Sequence, residues 1–270
     1  MSFDQISFDQ WKGRWTLITG ASAGIGKTFA ERLAQGGSNL VLTARRRDRM
    51  EELASQLRNA RSIQVEIVAA DLNLPEAPAQ IFAFTEGNGL AIDFLINNAG
   101  FGQYGEFGKS ALDQQVSMVQ VNCAAVVAMT HLYLPGMVER RRGDILMLGS
   151  TASFQAVPYM SVYAATKSFD LLFAEGLAQE VAAYGIRVCA LCPGATESEF
   201  QQVAGSPANR ALRREETAEK VVRVGLEALI AGKHFVISGM RNKIGAEIQR
   251  FVPRRVVTNA AAKMFRPQGA

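Results

Sequence analysis

Thr19-Gly20-Ala21-Ser22-Ala23-Gly24-Ile25-Gly26 follows the apolar run Trp15–Thr19 and opens a helix-like stretch over 26–35. Glycines between a strand and a helix permit a tight turn, and they let the backbone approach a pyrophosphate at the helix N-terminus. Gly20, Gly24 and Gly26 are spaced G-x-x-x-G-x-G, with Ser22, Ala23 and Ile25 between them. Many strand-to-helix turns use glycine without any ligand, so the turn alone is a weak signal. Its place between strand and helix favours a dinucleotide site over a plain turn.

Outward from this turn, apolar runs at 15–19, 39–43, 64–69, 93–96, 144–148, 186–191 and 234–237 read as strands. Between them lie helix-like stretches at 26–35, 47–58, 112–139, 162–183 and 217–231. Apolar strands alternating with helices predict parallel βαβ units, hence an α/β fold with a doubly wound sheet of about seven strands. No Pro/Gly/Ser-rich linker divides the chain, so 1–240 is expected to form one domain and 241–270 an extension of it. In the extension, Ile244, Ile248, Phe251 and Val252 fall on one helical stripe. Pro253 then interrupts and can open a second short helix, with Val256, Val257, Ala260, Ala261, Met264 and Phe265 as its apolar side.

The second strand ends Leu42-Thr43-Ala44-Arg45-Arg46. A carboxylate at this place would hold a ribose 2′-hydroxyl, whereas a guanidinium suits a 2′-phosphate. Arg45, followed by Arg46, therefore favours NADP(H) over NAD(H). The competing reading is a solvated charge run at a helix start, which suits Arg47 and Arg49 better than Arg45. Ala23 offers no second basic group.

Tyr163 and Lys167 are four residues apart in a helix-like stretch, so they share one face. A tyrosine has a pKa of about 10 and is a poor acid–base group near neutrality. A fixed ammonium beside it favours the phenolate and is expected to bring the phenol toward a working range.

Composition sets the frame. The chain has 270 residues, 48% of them apolar and 20% charged, as in an ordinary soluble globular protein. No apolar run reaches the ~18 residues of a membrane span. The N-terminus carries acids and no basic segment, so it does not read as a signal peptide, and the doubled Ser-Phe-Asp-Gln is too short for a structural repeat. From Arg241 onward there are seven basic residues and one acid, a local +6, which leaves −2 of the total +4 for residues 1–240. A near-neutral body argues against a nucleic-acid surface and singles out the tail. Three cysteines suit a reducing, cytoplasmic setting. Cys189 and Cys192 lie at i and i+3 of a strand, on opposite faces, which favours buried thiols over a redox or zinc pair. His131 and His234 stand outside every motif, and no metal-ligand cluster is apparent.

With these residues in view the chain resembles a classical short-chain dehydrogenase/reductase. The matching motifs are 19–26, Asp71-Leu72, Asn97-Asn98-Ala99-Gly100, Asn122, Ser150, Tyr163-x-x-x-Lys167 and Pro193-Gly194, in the family's order over about residues 14–200. The resemblance implies a Rossmann-type fold and the following roles. Tyr163 is the general acid in reduction and the general base in oxidation. Lys167 lowers its pKa and bonds the nicotinamide ribose, and Ser150 donates to the substrate oxygen. Asn122 interrupts a long helix and anchors a water between Lys167 and solvent. Asp71 bonds the adenine amino group beside Leu72, although an Asp after a strand also serves as a cap. Asn97, Ala99 and Gly100 line the adenosine ribose side through backbone atoms, and Asn98 belongs to the cofactor site with them. Pro193, Gly194, Thr196 and Ser198 form the nicotinamide loop. Two positions depart from the family: Gly149 precedes Ser150 where serine is common, and Ser198 replaces threonine.

The implied reaction interconverts a carbonyl and a secondary alcohol on a small molecule. Phe101, Phe154 and Phe200 are candidate walls of an apolar substrate pocket, with core packing as the equal alternative for each. The tail resembles that of a bacterial branch of the family associated loosely with lipid or acyl substrates. It is expected to cover the substrate entrance, touch an anionic membrane surface or dock with its basic face in solvent. A β-ketoacyl-carrier-protein reductase and a non-catalytic NADP(H)-sensing protein are the competing functions. Classical relatives assemble as homodimers or homotetramers through helices corresponding to 112–139 and 162–183.

Overall fold

The computed structural model describes residues 8–205 and 215–267. The first copy of Ser-Phe-Asp-Gln and the last three residues of the tail lie outside them. Seven strands form one sheet: β1 Trp15–Thr19, β2 Asn39–Ala44, β3 Val65–Ala69, β4 Ile92–Asn97, β5 Gly143–Leu148, β6 Ile186–Cys192 and β7 Phe235–Ile237. Their order is β3-β2-β1-β4-β5-β6-β7, every neighbouring pair being parallel. The order reverses between β1 and β4, and the crevice beyond their C-terminal ends is where doubly wound sheets bind ligands. All of β4 is buried, as expected for a strand covered on both faces.

The helices in chain order are α1 Gly24–Gln35, α2 Arg47–Ala60, α3 Ala77–Gly87, α4 Leu112–Val119, α5 Ala125–Glu139, α6 Ser161–Val181, α7 Phe200–Val203, α8 Ala218–Ile230, α9 Met240–Ile248 and α10 Arg254–Phe265. One face of the sheet packs against α1, α2 and α8 through residues such as Phe29, Met50 and Leu226. The other packs against α3, α5 and α6 through Ile81, Met129 and Leu177. The strand alternation carries this division: Cys189 belongs to the first core and Cys192 to the second, so the C-x-x-C spans the sheet and forms no pair. Burial pushes both thiols up to about 12.

Two features depart from the sequence pattern. Helix α3 was not apparent beside Pro75 and Pro78, yet Pro78 sits in its first turn, where a missing N–H costs nothing. The stretch Leu112–Glu139 is long and apolar enough to cross a membrane. Its Val126, Met129, Tyr133 and Met137 are instead spent on the core.

An N-terminal turn, Asp9–Trp11, locks the bottom of the sheet. Trp11 is fully buried against Phe94, ring centroids 4.9 Å apart, and its Nε1 donates to Asp144 Oδ2 at 2.7 Å. Asp144 also receives Arg187 Nε at 2.7 Å. Trp11→Ala is expected to cost about 3–5 kcal/mol, because it opens a cavity and removes one partner of a buried carboxylate. Chemical denaturation measures this, and a loss below about 1 kcal/mol would contradict the packing described.

Candidate active site

The glycine turn is fitted to its neighbours at contact distance. A Cβ at Gly26 would lie 2.3 Å from the Gly20 carbonyl oxygen and 2.5 Å from Asn98 Nδ2, and Gly20 and Gly24 adopt φ of +68° and +53°. Asn98 Nδ2 donates to the Thr19 carbonyl at 2.8 Å, while the Thr19 hydroxyl accepts from the Asn98 and Ala99 amides at 3.0 and 2.9 Å. Asn98 therefore ties the ends of β1 and β4 together beneath the turn. Asn97 does not line the groove: it is buried and donates to Thr130 at 3.0 Å, because alternation turns it into the core.

Gly20, Ser22, Ala23, Gly24, Ile25 and Gly26 border a cavity of about 400 Å³. Asp71, Leu72, Asn98, Ala99 and Gly100 border it as well. The backbone close approach and the absence of a side-chain cap on α1 suit an anionic dinucleotide there. Asp71 faces this cavity while its Oδ1 accepts from the Asn73 amide at 3.0 Å, so it shapes a turn rather than a helix cap.

The arginine cluster differs from its sequence reading. Arg45 borders the groove and is exposed. Arg46 reaches Ser22 Oγ, from Nη2 at 3.1 Å, and also donates to Glu199 at 2.8 Å. Arg49, expected to be a solvated charge, donates to the other Glu199 oxygen at 2.6 Å. Arg49 first and Arg46 second hold the Glu199 carboxyl below its usual range. Glu199 lies about 150 residues away in sequence, so nothing local announced this clasp.

Ser150, Tyr163 and Lys167 converge beyond β5. Ser150 follows β5 by two residues and caps a short turn, Thr151–Phe154, its Oγ accepting from the Ala152 amide at 3.1 Å. The Ser150 side chain also lies beside Tyr163 and pulls its phenol down. Ser153, which the sequence did not single out, donates to the Lys167 carbonyl at 2.6 Å and fixes this turn to α6. Asn122 lies in a π-helical turn, Gln120–Ala124, that joins α4 to α5. Its amide donates to the Phe101 carbonyl at 2.9 Å and to Thr166 Oγ1 at 3.0 Å, and its oxygen accepts from the Phe101 amide at 3.1 Å. Both side-chain donors of Asn122 are thus committed to the chain.

Lys167 is 4% exposed and donates to the Leu148 carbonyl at 2.6 Å and to Asp170 at 3.0 Å. Burial opposes its charge, but Asp170 and then Tyr163 outweigh burial and raise its pKa. For Tyr163 the balance runs the other way. Burial lifts the phenol, and Lys167 followed by Ser150 pulls it only part of the way back. The lysine effect expected from the spacing is present, but desolvation exceeds it.

A second cavity, of about 380 Å³, contains Ser150, Tyr163 and Lys167. Of the three aromatic candidates, only Phe200 borders it, with its ring 5.2 Å from Tyr163. Phe154 packs on Phe235 at 5.9 Å in the core, and Phe101 borders the nucleotide groove. Val157 and Met160, in the stretch between Ser150 and Tyr163, complete the apolar wall together with Phe265 of the tail. Phe265 comes from α10, anchored where Tyr104 Oη donates to its carbonyl at 2.8 Å. Pro193, Gly194, Thr196 and Ser198, expected to form the nicotinamide loop, all border this cavity.

The pattern of the short chain dehydrogenase family matches residues 14–209. The chain belongs to that family. Its members are oxidoreductases acting on hydroxyl and carbonyl groups. The chain is 32% identical to a 7beta-hydroxysteroid dehydrogenase of Mediterraneibacter gnavus, over 86% of this chain and 88% of the relative. It is 29% identical to a very-long-chain 3-oxoacyl-CoA reductase of Rattus norvegicus, over 89% and 77% respectively. A short-chain dehydrogenase from Sphingobium yanoikuyae, solved in complex with NADPH, superposes with a TM-score of 0.81 at 31% identity, covering 95% of this chain and 98% of that one.

Gly149, the family departure, has a local cause. A Cβ there would lie 2.8 Å from Cys192 Sγ and 3.2 Å from Ser153 Oγ. Gly149→Ser is expected to destabilise by about 1–3 kcal/mol, and Cys192→Gly in the same chain to recover much of that. Thermal melting of the single and double variants tests this; additive losses would show that the thiol is not the obstacle.

Proposed function

We propose that the chain is an NADP(H)-dependent carbonyl reductase and alcohol dehydrogenase using Tyr163 as its acid–base group. The observation that carries this is the convergence of Ser150, Tyr163 and Lys167 at one cavity, beside the glycine-turn groove. A bound nicotinamide supplies or accepts the hydride. Ser150 would hold the substrate oxygen, Tyr163 would pass it a proton, and Lys167 would keep the phenol oriented and polarised. The phenol lies above its ordinary range, so at neutral pH Tyr163 is protonated and suited to donate, the direction of reduction. Oxidation should accelerate as pH rises toward the phenol's ionisation.

The substrate reading is an apolar ketone or its alcohol, supported by the wall of Val157, Met160, Phe200 and Phe265. A 3-oxoacyl thioester is the second reading, supported by the basic tail beside this wall and by the 3-oxoacyl-CoA reductase relative. Activity on a carrier-bound but not a free ketone would select it.

NADP(H) is preferred on the strength of Arg45, Arg46 and Ser22, with the NADPH-bound relative in support. A 2′-phosphate would compete with Glu199 for the same guanidinium. Arg45→Ala and Arg46→Ala should each weaken NADPH binding about tenfold or more, leaving NADH little changed. Glu199→Gln should tighten NADPH binding instead. Fluorescence titration reads all three, and equal NADH and NADPH affinity in the unaltered chain would overturn the assignment.

Assembly as a homodimer or homotetramer through α4 to α6 is supported by the exposed row Leu112, Val116 and Val119, with Leu172 on α6. The tail presents another apolar row outward. Met240, Ile244, Ile248 and Phe251 share one helical face and are 50–88% exposed, while Ala246 on the opposite face is buried. With seven basic residues and one acid in the tail, this row suits an anionic membrane surface. The joint variant Ile248→Ser, Phe251→Ser should lower sedimentation with phosphatidylcholine/phosphatidylserine vesicles about tenfold. Failure of the unaltered chain to bind them would remove membrane contact; dissociation of an oligomer by the variant would assign the row to a second copy.

A further inference from the structure

Asp170 lies one turn beyond Lys167 on α6 and has no place in the set of site residues that the family resemblance implies. The side chains of Lys167 and Asp170 are 5% and 2% exposed, with Nζ and Oδ2 3.0 Å apart. The ammonium has three N–H bonds, of which the Leu148 carbonyl and Asp170 take two. The other carboxylate oxygen, Oδ1, is buried with no hydrogen-bond partner among the described residues. A buried ion pair contributes little stability by itself, and an orphaned oxygen makes it a poorer device for that purpose.

The other titratable groups around the pair are Tyr163 on α6, Cys123 in the π-helical turn and Cys192 on β6. Burial pushes Cys123 up to about 11 and Cys192 up to about 12, so both are neutral thiols at physiological pH. The charge of the cluster is therefore set by Lys167, Asp170 and Tyr163.

We infer that Asp170 is a positioning residue acting through Lys167: as its fixed counter-ion it brings the buried pair to zero net charge and so keeps Tyr163 a neutral, proton-donating phenol. A buried cluster resists net charge. With Asp170 ionised, Lys167 is already balanced, and ionising Tyr163 would add an unmatched negative charge. Without the Asp170 charge, the phenolate becomes the counter-ion available to Lys167. In agreement, Asp170 is among the groups that raise the phenol, opposing Lys167. The consequence is a site set for carbonyl reduction near neutrality. The inference rests on Tyr163 being the acid–base group.

The test is the ionisation of Tyr163 in the full chain, read as ultraviolet phenolate absorbance minus that of the Tyr163→Phe variant. Asp170→Asn should move the midpoint toward acid by about one pH unit or more, and Asp170→Glu should restore it. If Asp170→Asn does not fold, Asp170→Ser removes the same charge and carries the same expectation. An unmoved or alkaline-shifted midpoint in a folded variant overturns the inference, even where melting temperature falls, since a merely structural residue would lower stability without moving the phenol. Turnover of a ketone panel with NADPH separates the two levels. A Tyr163→Phe variant that still turns over defeats the proposed function and this inference together. An inactive Tyr163→Phe with an unmoved midpoint in Asp170→Asn defeats the inference alone.

Discussion

The junction of β1, β4 and α1 is the constraint on which the rest depends. Gly26 must come within 2.3 Å, measured from the Cβ it lacks, of the Gly20 carbonyl oxygen. Any side chain there would push α1 off the sheet edge and close the groove between the two strand ends. Asn98 and Thr19 hold those ends in register by three hydrogen bonds of 2.8 to 3.0 Å. The groove is thus a consequence of backbone packing at the switch point, and the side chains that border it are added to a shape already set.

Chemistry is added by burying charge next to that groove. Lys167 lies almost wholly out of water and is retained as an ammonium because a carbonyl and a carboxylate surround it. Its influence on Tyr163 is correspondingly divided, and desolvation of the phenol leads. Spacing on a helix brings such groups together; it does not say which of the opposing effects is larger, because that depends on everything else packed around them.

Much of the architecture was legible in the chain. Strand β1 has the predicted ends, and the other six differ from expectation by at most one residue at either end. Parallel strands buried on both faces leave continuous apolar runs, which are hard to mistake. Helix α3 was not singled out; Pro78 lies in its first turn, where the missing N–H is tolerated. In the tail, the apolar stripe was visible, but its direction was not. Periodicity shows that a helix has two faces, and only packing decides which one is buried: here it is Ala246, Ala261 and Phe265.

By itself, the sequence determined the doubly wound order of elements, the glycine turn and the shared face of Tyr163 and Lys167, since each follows from local periodicity or backbone freedom. Tertiary structure decided the contacts that join distant segments. Glu199 clasps Arg46 and Arg49 across the groove, Phe265 closes the apolar wall from the far end of the chain, and Phe154 turns from the pocket to Phe235. Cys192 leaves no room for a side chain at Gly149. These are matters of distance between residues that the chain separates by tens to hundreds of positions, and no local pattern encodes them.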